Sequence, residues 1–229
     1  MKAWHTAAVL VALTAGLAAC GSTTPPAQSS APAASSDTSA VAAPTSTAAP
    51  APTGTHQTIA DYIKANQITE SRVKRGDPGS PTVTLPVPAG WRDAAAQTPQ
   101  FAYWAAVLDD PAVAADPATV IALMSKLTGP VDAAKIFEFA PGELNNLPGY
   151  DGAADGTKST LGGFDAVQLG GSYVKDGMKR MIAQKTVVIP ATDGSGLYVL
   201  QLNANGLEDQ MGRLLDAVST IDANTTITP

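Results

Sequence analysis

The sequence predicts an α+β domain, an antiparallel β-sheet covered on both faces by helices or irregular chain. Three observations lead there. Residues 158–161, 164–174, 179–189 and 197–203 are consecutive β-type runs with hairpin signals at Asp176-Gly177 and Asp193-Gly194, and strands joined that way form an antiparallel meander. Residues 119–127 place Ile121, Leu123 and Leu127 on one face of a strand and Val120, Ala122 and Met124 on the other; a strand apolar on both faces must be covered on both. Helical patterns lie at both ends of the β-rich region, the α+β arrangement rather than alternating βα units.

The first element in chain order is a leader, residues 1–19. Lys2 supplies a small positive charge, and Ala7 onward is a short apolar run with Val9, Leu10, Val11, Leu13 and Leu17. This is secretory-signal architecture, and at about 13 residues it is too short for the ~20 that a membrane-spanning helix needs. Leu17-Ala18-Ala19-Cys20 resembles the lipobox of bacterial lipoproteins, in which the cysteine is acylated and becomes the first mature residue. Cys20 is the only cysteine of the chain, so it can form no internal disulfide. The expected partner of this segment is the membrane, through a diacylglyceryl or acyl anchor on Cys20, which places the protein on the outer face of the cell membrane.

Residues 20–57 are expected to be a tether. The stretch after Cys20 is Pro, Ala, Ser and Thr with one charge, Asp37, and no aromatic residue before His56. Such a composition buries too little apolar area to offset its ordering entropy. Residues 58–229 form the single globular domain.

Within that domain, Thr58 with Asp61 three residues later is a variant of the capping box, opening a short helix with Ile59, Tyr62 and Ile63 on one face and ending near Asn66. Residues 68–73 are a short extended segment, and Gly76 to Pro81 is turn chemistry throughout. Thr82-Val83-Thr84-Leu85 is a strand stopped by Pro86 and Pro88, hence an edge strand. Residues 101–108 form the next strand and 109–117 a loop. Asp132 to about Asn145 is a helix broken or kinked at Pro141-Gly142. In the last helix Leu207, Met211, Leu214, Leu215, Val218 and Ile221 recur at helical spacing behind an expected Asn205 cap with Glu208 three residues on.

Composition excludes several function classes. The formal charge is -6, and an acidic balance without basic runs argues against nucleic acid. The two histidines are His5 in the leader and His56 at the end of the tether, so no Cys/His metal cluster and no Ser-His or Cys-His pair can be assembled inside the domain. No cofactor, metal or catalytic residue is expected. Ser172-Tyr173-Val174-Lys175 spells S-x-x-K, but it ends a strand, where an offset of three puts Ser and Lys on opposite faces. Asp109 and Asp110 are adjacent acids in a Pro-rich loop, and a solvated turn explains them. Gly162-Gly163 and Gly170-Gly171 lack nucleotide-loop spacing. The second pair marks a bulge or a close approach to backbone, by a helix or by a ligand. Trp91, Phe101, Tyr103 and Trp104 gather in a short span, where aromatic residues are core more often than pocket. They are carried forward with Gly170 and Gly171 as the candidate ligand-binding set, because a slot for lipid needs apolar walls and a few polar groups at its mouth.

Several runs resemble the LpqN family of mycobacterial and related actinobacterial lipoproteins: TIADYIKAN from Thr58, GDPGSPTVTLPVPAGW from Gly76, KLTG from Lys126 and FAPGELNNLPG from Phe139. LGGFDAVQLGGSY from Leu161, AQKTVVIP from Ala183, VLQLNA from Val199 and the ending TTITP add to them. The resemblance covers residues 58–229 and fits least well over residues 92–116. It implies a PsbP-like α/β/α sandwich and a non-enzymatic role in envelope biology, as a binding module for lipids or glycolipids such as mycolate glycolipids. It also implies contact with MmpL-class exporters and secreted mycolyltransferases. An adaptor that binds envelope proteins without a lipid ligand is the alternative. Only Cys20 carries over as a functional position.

Overall fold

A computed structural model describes residues 55–229; Cys20, the leader and most of the expected tether lie outside the described residues. The first helix, α1 (Ile59–Ala65), is set by the capping box that the sequence predicts. The Asp61 amide donates to Thr58 Oγ1 at 3.1 Å and the Thr58 amide donates to Asp61 Oδ2 at 3.0 Å, satisfying two of the donors that a helix start leaves orphaned. Next come β1 (Thr69–Arg72), β2 (Thr82–Thr84), β3 (Trp91–Asp93) and β4 (Trp104–Leu108).

The fourth strand is shorter than expected. A turn in which the Ala102 amide donates to the Pro99 carbonyl precedes it, leaving Phe101 outside the ladder. The edge strand β2 stands apart from the main sheet. It pairs with β11 (Thr226–Thr228), the chain terminus, in a two-stranded ribbon.

The long strand β5 (Thr119–Thr128) is followed by α2 (Ala133–Phe139) and α3 (Gly142–Asn145). These are the two halves of the expected helix, interrupted at Pro141 as the ring demands. Asp132 caps α2 by accepting from the Ala134 amide at 2.8 Å. The C-terminal half is β6 (Asp151–Gly152), β7 (Thr157–Leu161), β8 (Phe164–Lys175), β9 (Met178–Pro190) and β10 (Leu197–Leu207), then α4 (Met211–Asn224).

The main sheet is antiparallel throughout, ordered β3-β4-β5-β10-β9-β8-β6, with β1 also on β5 and β7 also on β8. Its turns follow their chemistry. Gly162-Gly163 joins β7 to β8 with both residues at positive φ, and Asp176-Gly177 joins β8 to β9 in the same way, the backbone that a two-residue hairpin requires. At Asp193-Gly194 the connection is wider than a two-residue hairpin, since the ladder stops at Pro190 and Leu197. The Asn205 cap is also corrected: Asn205 lies inside β10, and a short 3-10 turn, Glu208–Gln210, precedes α4. In-strand partners hold Asn205 there, its amide donating to Tyr173 Oη and accepting from Arg180 Nε.

Both faces of the sheet are covered. On one, Met124, Val187, Ile189, Leu200 and Leu202 pack under Leu214, Ala217 and Ile221 of α4. On the other, Leu127, Val167, Val188 and Val199 meet Ile59 and Tyr62 of α1 and Ile136 of α2. Each buried Leu or Ile contributes about 1.5–3 kcal/mol, enough in sum to fix three otherwise short helices to the sheet.

Candidate functional site

The structure dissolves the expected aromatic site. Trp91, Tyr103 and Trp104 are buried in the core beneath α4, with Trp104 Nε1 donating to Asp93 Oδ2 at 2.9 Å and Tyr103 Oη accepting from the Val83 amide at 3.2 Å. Phe101 is 49% exposed and takes no part in the groove between α4 and the sheet. Large apolar rings at the start of β3 and β4, packed under the same core, gain more from burial than from forming a wall open to water.

Gly170 and Gly171 have a different fate. The β8–β9 register runs unbroken past both, so there is no bulge. A Cβ on Gly171 would stand 2.5 Å from the Asp151 carbonyl oxygen and 2.9 Å from Tyr150 Cε2. The close approach is therefore by β6 and the Tyr150 ring, not by a helix or a ligand. Tyr150 Oη donates toward the Gly170 carbonyl at 3.3 Å, and burial pushes its pKa up. On the other face Gly170 is exposed and forms the floor of a groove.

That groove is strongly apolar. It consists of two overlapping chambers, of about 340 and 290 Å³, between α4 and strands β8, β9 and β10. Strand register explains it. Gly170 pairs with Ala183, Ala183 with Ala204, and Ala204 with Val120. A transverse row with a hydrogen, two methyl groups and one short branched chain thus crosses the sheet under a helix. Packed helices and sheets lie about 10 Å apart and need larger side chains to fill that space. Here the space stays open.

The helix forms the opposite wall. Met211, Leu214, Leu215, Val218 and Ile221 recur every three or four residues, one stripe of α4. Leu214 and Ile221 face the core, while Leu215 and Met211 are 59% and 43% exposed at the lip. Isolated surface leucines need no explanation, but these border a continuous apolar cavity.

One end of the groove is polar. Lys185, buried on the floor, places Nζ 2.7 Å from Asp222 Oδ1 on α4 and donates to Ser159 Oγ at 3.1 Å. Asp222, Gln168 and Thr157 also line this end. The site is therefore an apolar slot with a neutralised ion pair and hydroxyl and amide groups at one mouth, the arrangement expected of a pocket for an amphiphile. No acid/base pair with an activated nucleophile forms there. Ser172 is buried and Lys175 exposed, three residues apart on one strand, the separation that the strand reading requires.

Two polar clusters lie elsewhere. On the opposite face Gln184 and Gln201 both donate to Glu143 Oε2, at 3.1 and 2.9 Å, beside a hollow of about 160 Å³ that Glu143 and Gln201 help to line. Between β9 and the loop before β5, Arg180 donates to Asp116 at 2.6 and 3.1 Å. These hydrogen bonds hold the Asp116 carboxyl below its ordinary pKa and raise that of Arg180. Among the described residues no three metal-ligating His, Cys, Asp or Glu side chains gather, and no helix is long and apolar enough to cross a membrane.

The sequence reading missed the groove although its signal was present. A two-residue turn at Asp176-Gly177 fixes the pairing of everything behind it, and counting back from that turn puts Gly170 opposite Ala183.

Comparison with known proteins gives a consistent result. Residues 55–228 match the Lpp-LpqN family, described as probable lipoprotein LpqN. Lipoprotein LpqN of Mycobacterium tuberculosis is 53% identical over 176 residues, spanning 77% of this chain and 76% of that one. The crystal structure of LpqN involved in cell envelope biogenesis of Mycobacterium tuberculosis superposes with a TM-score of 0.73 at 54% identity, over 77% of this chain and 100% of that chain.

Proposed function

Because the chain belongs to the LpqN family of lipoproteins, we propose that it is a membrane-anchored envelope lipoprotein that shelters the apolar part of a lipid or glycolipid in the groove beneath α4, without transforming it. The observation that carries this reading is the small-residue row Gly170–Ala183–Ala204 facing Leu215 and Val218 across open space. An adaptor that binds only proteins predicts an exposed apolar patch with no cavity behind it; a cavity favours the carrier. The polar end at Lys185 and Asp222 provides partners for a headgroup, while the slot takes a chain.

The Mycobacterium tuberculosis relative is described as involved in cell envelope biogenesis, and we assign this chain to the same broad process. Anchorage is through an acyl group on Cys20, with the domain on the outer face of the membrane. Export machinery that hands over or receives the lipid is the partner class this role requires.

The test is native mass spectrometry of the Cys20→Ser protein before and after exposure to envelope lipid extract. A discrete added mass on folded protein, absent when the groove is filled by Ala183→Leu, supports the carrier. Folded protein that stays bare moves the reading to the adaptor.

A further inference from the structure

The groove has two ends, and its apolar end runs toward the tip of the β8–β9 hairpin. Met181 and Ile182, the first residues of β9 to line it, lie three and four positions from Met178 at that tip, or about 10–13 Å along the strand. Met211, at the start of α4, forms the exposed lip on the same side.

The tip itself is unusual for a surface turn in an acidic protein. Val174 and Met178 are 44% and 47% exposed. Alternation along the strands puts them on opposite faces of the hairpin, and each has a lysine as its cross-strand neighbour, Val174 beside Lys179 and Met178 beside Lys175. Both faces of the projection therefore carry an apolar side chain next to a long cationic one. A protein groove would bury one face; a headgroup layer accepts both, with the lysine stems lying along apolar surface and their ammonium groups reaching water. Asp176 in the turn and Glu208, ion-paired to Lys179 at 2.8 Å, leave the tip nearly balanced in charge. The apolar side chains, not attraction to anionic lipid, then decide the contact.

The point where the described domain begins is fastened to the same end. The His56 amide donates to Asn146 Oδ1 at 3.0 Å and Asn146 Nδ2 donates back to the His56 carbonyl at 2.7 Å. Two residues further on, the Pro148 carbonyl accepts from the Val174 amide at 2.8 Å, so at most about 7 Å of chain separates the two fastenings. The described chain thus begins beside the hairpin tip.

We propose that the Val174–Met178 tip is the face by which the anchored domain rests in the lipid headgroup layer, so that the Met181–Met211 mouth of the groove opens onto the bilayer. The occupant of this surface is the membrane. The proposal deepens the carrier reading and rests on it for the purpose of the opening, while the contact itself can be tested separately.

The experiment uses the full acylated chain in vesicles of phosphatidylethanolamine and phosphatidylglycerol doped with a spin-labelled lipid. A cysteine carrying an environment-sensitive fluorophore is placed at the tip by Met178→Cys or at the far β9–β10 loop by Thr192→Cys. The acylated Cys20 does not react, and the unsubstituted chain gives the background. Several-fold stronger quenching and a blue shift at position 178, both reduced by Val174→Asp, are the expected result. Equal quenching at the two positions, stronger quenching at 192, or none at either overturns the proposal. Lipid retention is measured on the same samples. Quenching at 178 without retained lipid keeps the membrane contact and ends the carrier reading; retained lipid without quenching does the reverse.

Discussion

Lys185 Nζ lies 2.7 Å from Asp222 Oδ1, and this contact ties the last turns of α4 to the floor of the groove. The two ends of the pair are not equivalent, since the Lys185 side chain is 6% exposed and that of Asp222 32%. Asp222→Asn leaves a buried ammonium without its counter-charge and should cost about 2–3 kcal/mol. Lys185→Met should cost less, because the released carboxylate turns to water and the thioether fits an apolar floor. Urea unfolding of both variants checks the order; a smaller loss for Asp222→Asn contradicts it.

Groove volume and fold stability should separate. Ala183→Leu places a branched side chain in the middle of the open row and should reduce lipid retention on the order of tenfold. Leu215→Asp, at an exposed position, should change stability by no more than about 0.5 kcal/mol while also weakening retention. Unfolding midpoints and retained lipid mass, measured on the same preparations, show whether the two properties move apart.

Acid sensitivity should trace in part to Asp116. Its carboxyl titrates below the usual 3.8 because Arg180 hydrogen-bonds it, so the unfolded chain binds that proton more tightly than the folded one. The stabilisation is complete above the unfolded value and is lost as pH falls through the folded value. Asp116→Asn should therefore lower the plateau near neutral pH and flatten the decline below about pH 4. Urea midpoints followed from neutral pH into the acid range test this, and an unchanged acid slope speaks against it.

Gly152 is required by contact. A Cβ there would lie 2.5 Å from Tyr150 Oη and 2.6 Å from the Gly170 carbonyl oxygen. Gly152→Ala should cost about 1–3 kcal/mol and displace Tyr150 from the edge of β8. Faster amide exchange at Asp151 and Ser172 is the local signature, and unaltered exchange rejects the assignment.

Cys20→Ser should move the protein from the membrane to the soluble fraction, because a single lipidated cysteine is the attachment that the leader implies. Fractionation tests it, and persistence in the membrane overturns the lipoprotein reading.

Much of the fold was legible from local chemistry. The Thr58–Asp61 cap, the break at Pro141 and the turns at Asp176-Gly177 and Asp193-Gly194 depend on residues within a few positions of one another, and each interaction is settled before distant chain arrives. Even at Asp193-Gly194, where the loop is wider than the turn signal implies, the register follows it, and Ala183 meets Ala204. The alternation in β5 required cover on both faces, and both faces are covered. What failed locally was Asn205, whose capping pattern lost to partners on β9 and, one strand further, β8.

The sequence by itself determined the antiparallel meander and the row of small side chains that a two-residue turn brings into line. Only the tertiary structure decided what that row does. A row of Gly and Ala disappears wherever a helix sinks onto it, and it becomes a groove only where larger neighbours hold the helix away. Leu214 and Ile221 set that distance for α4 from one side and Lys185 with Asp222 from the end. The same packing drew Trp91, Tyr103 and Trp104 inward. Burial is a property of the assembled layers, and residue type alone does not say which apolar surfaces find cover and which remain open.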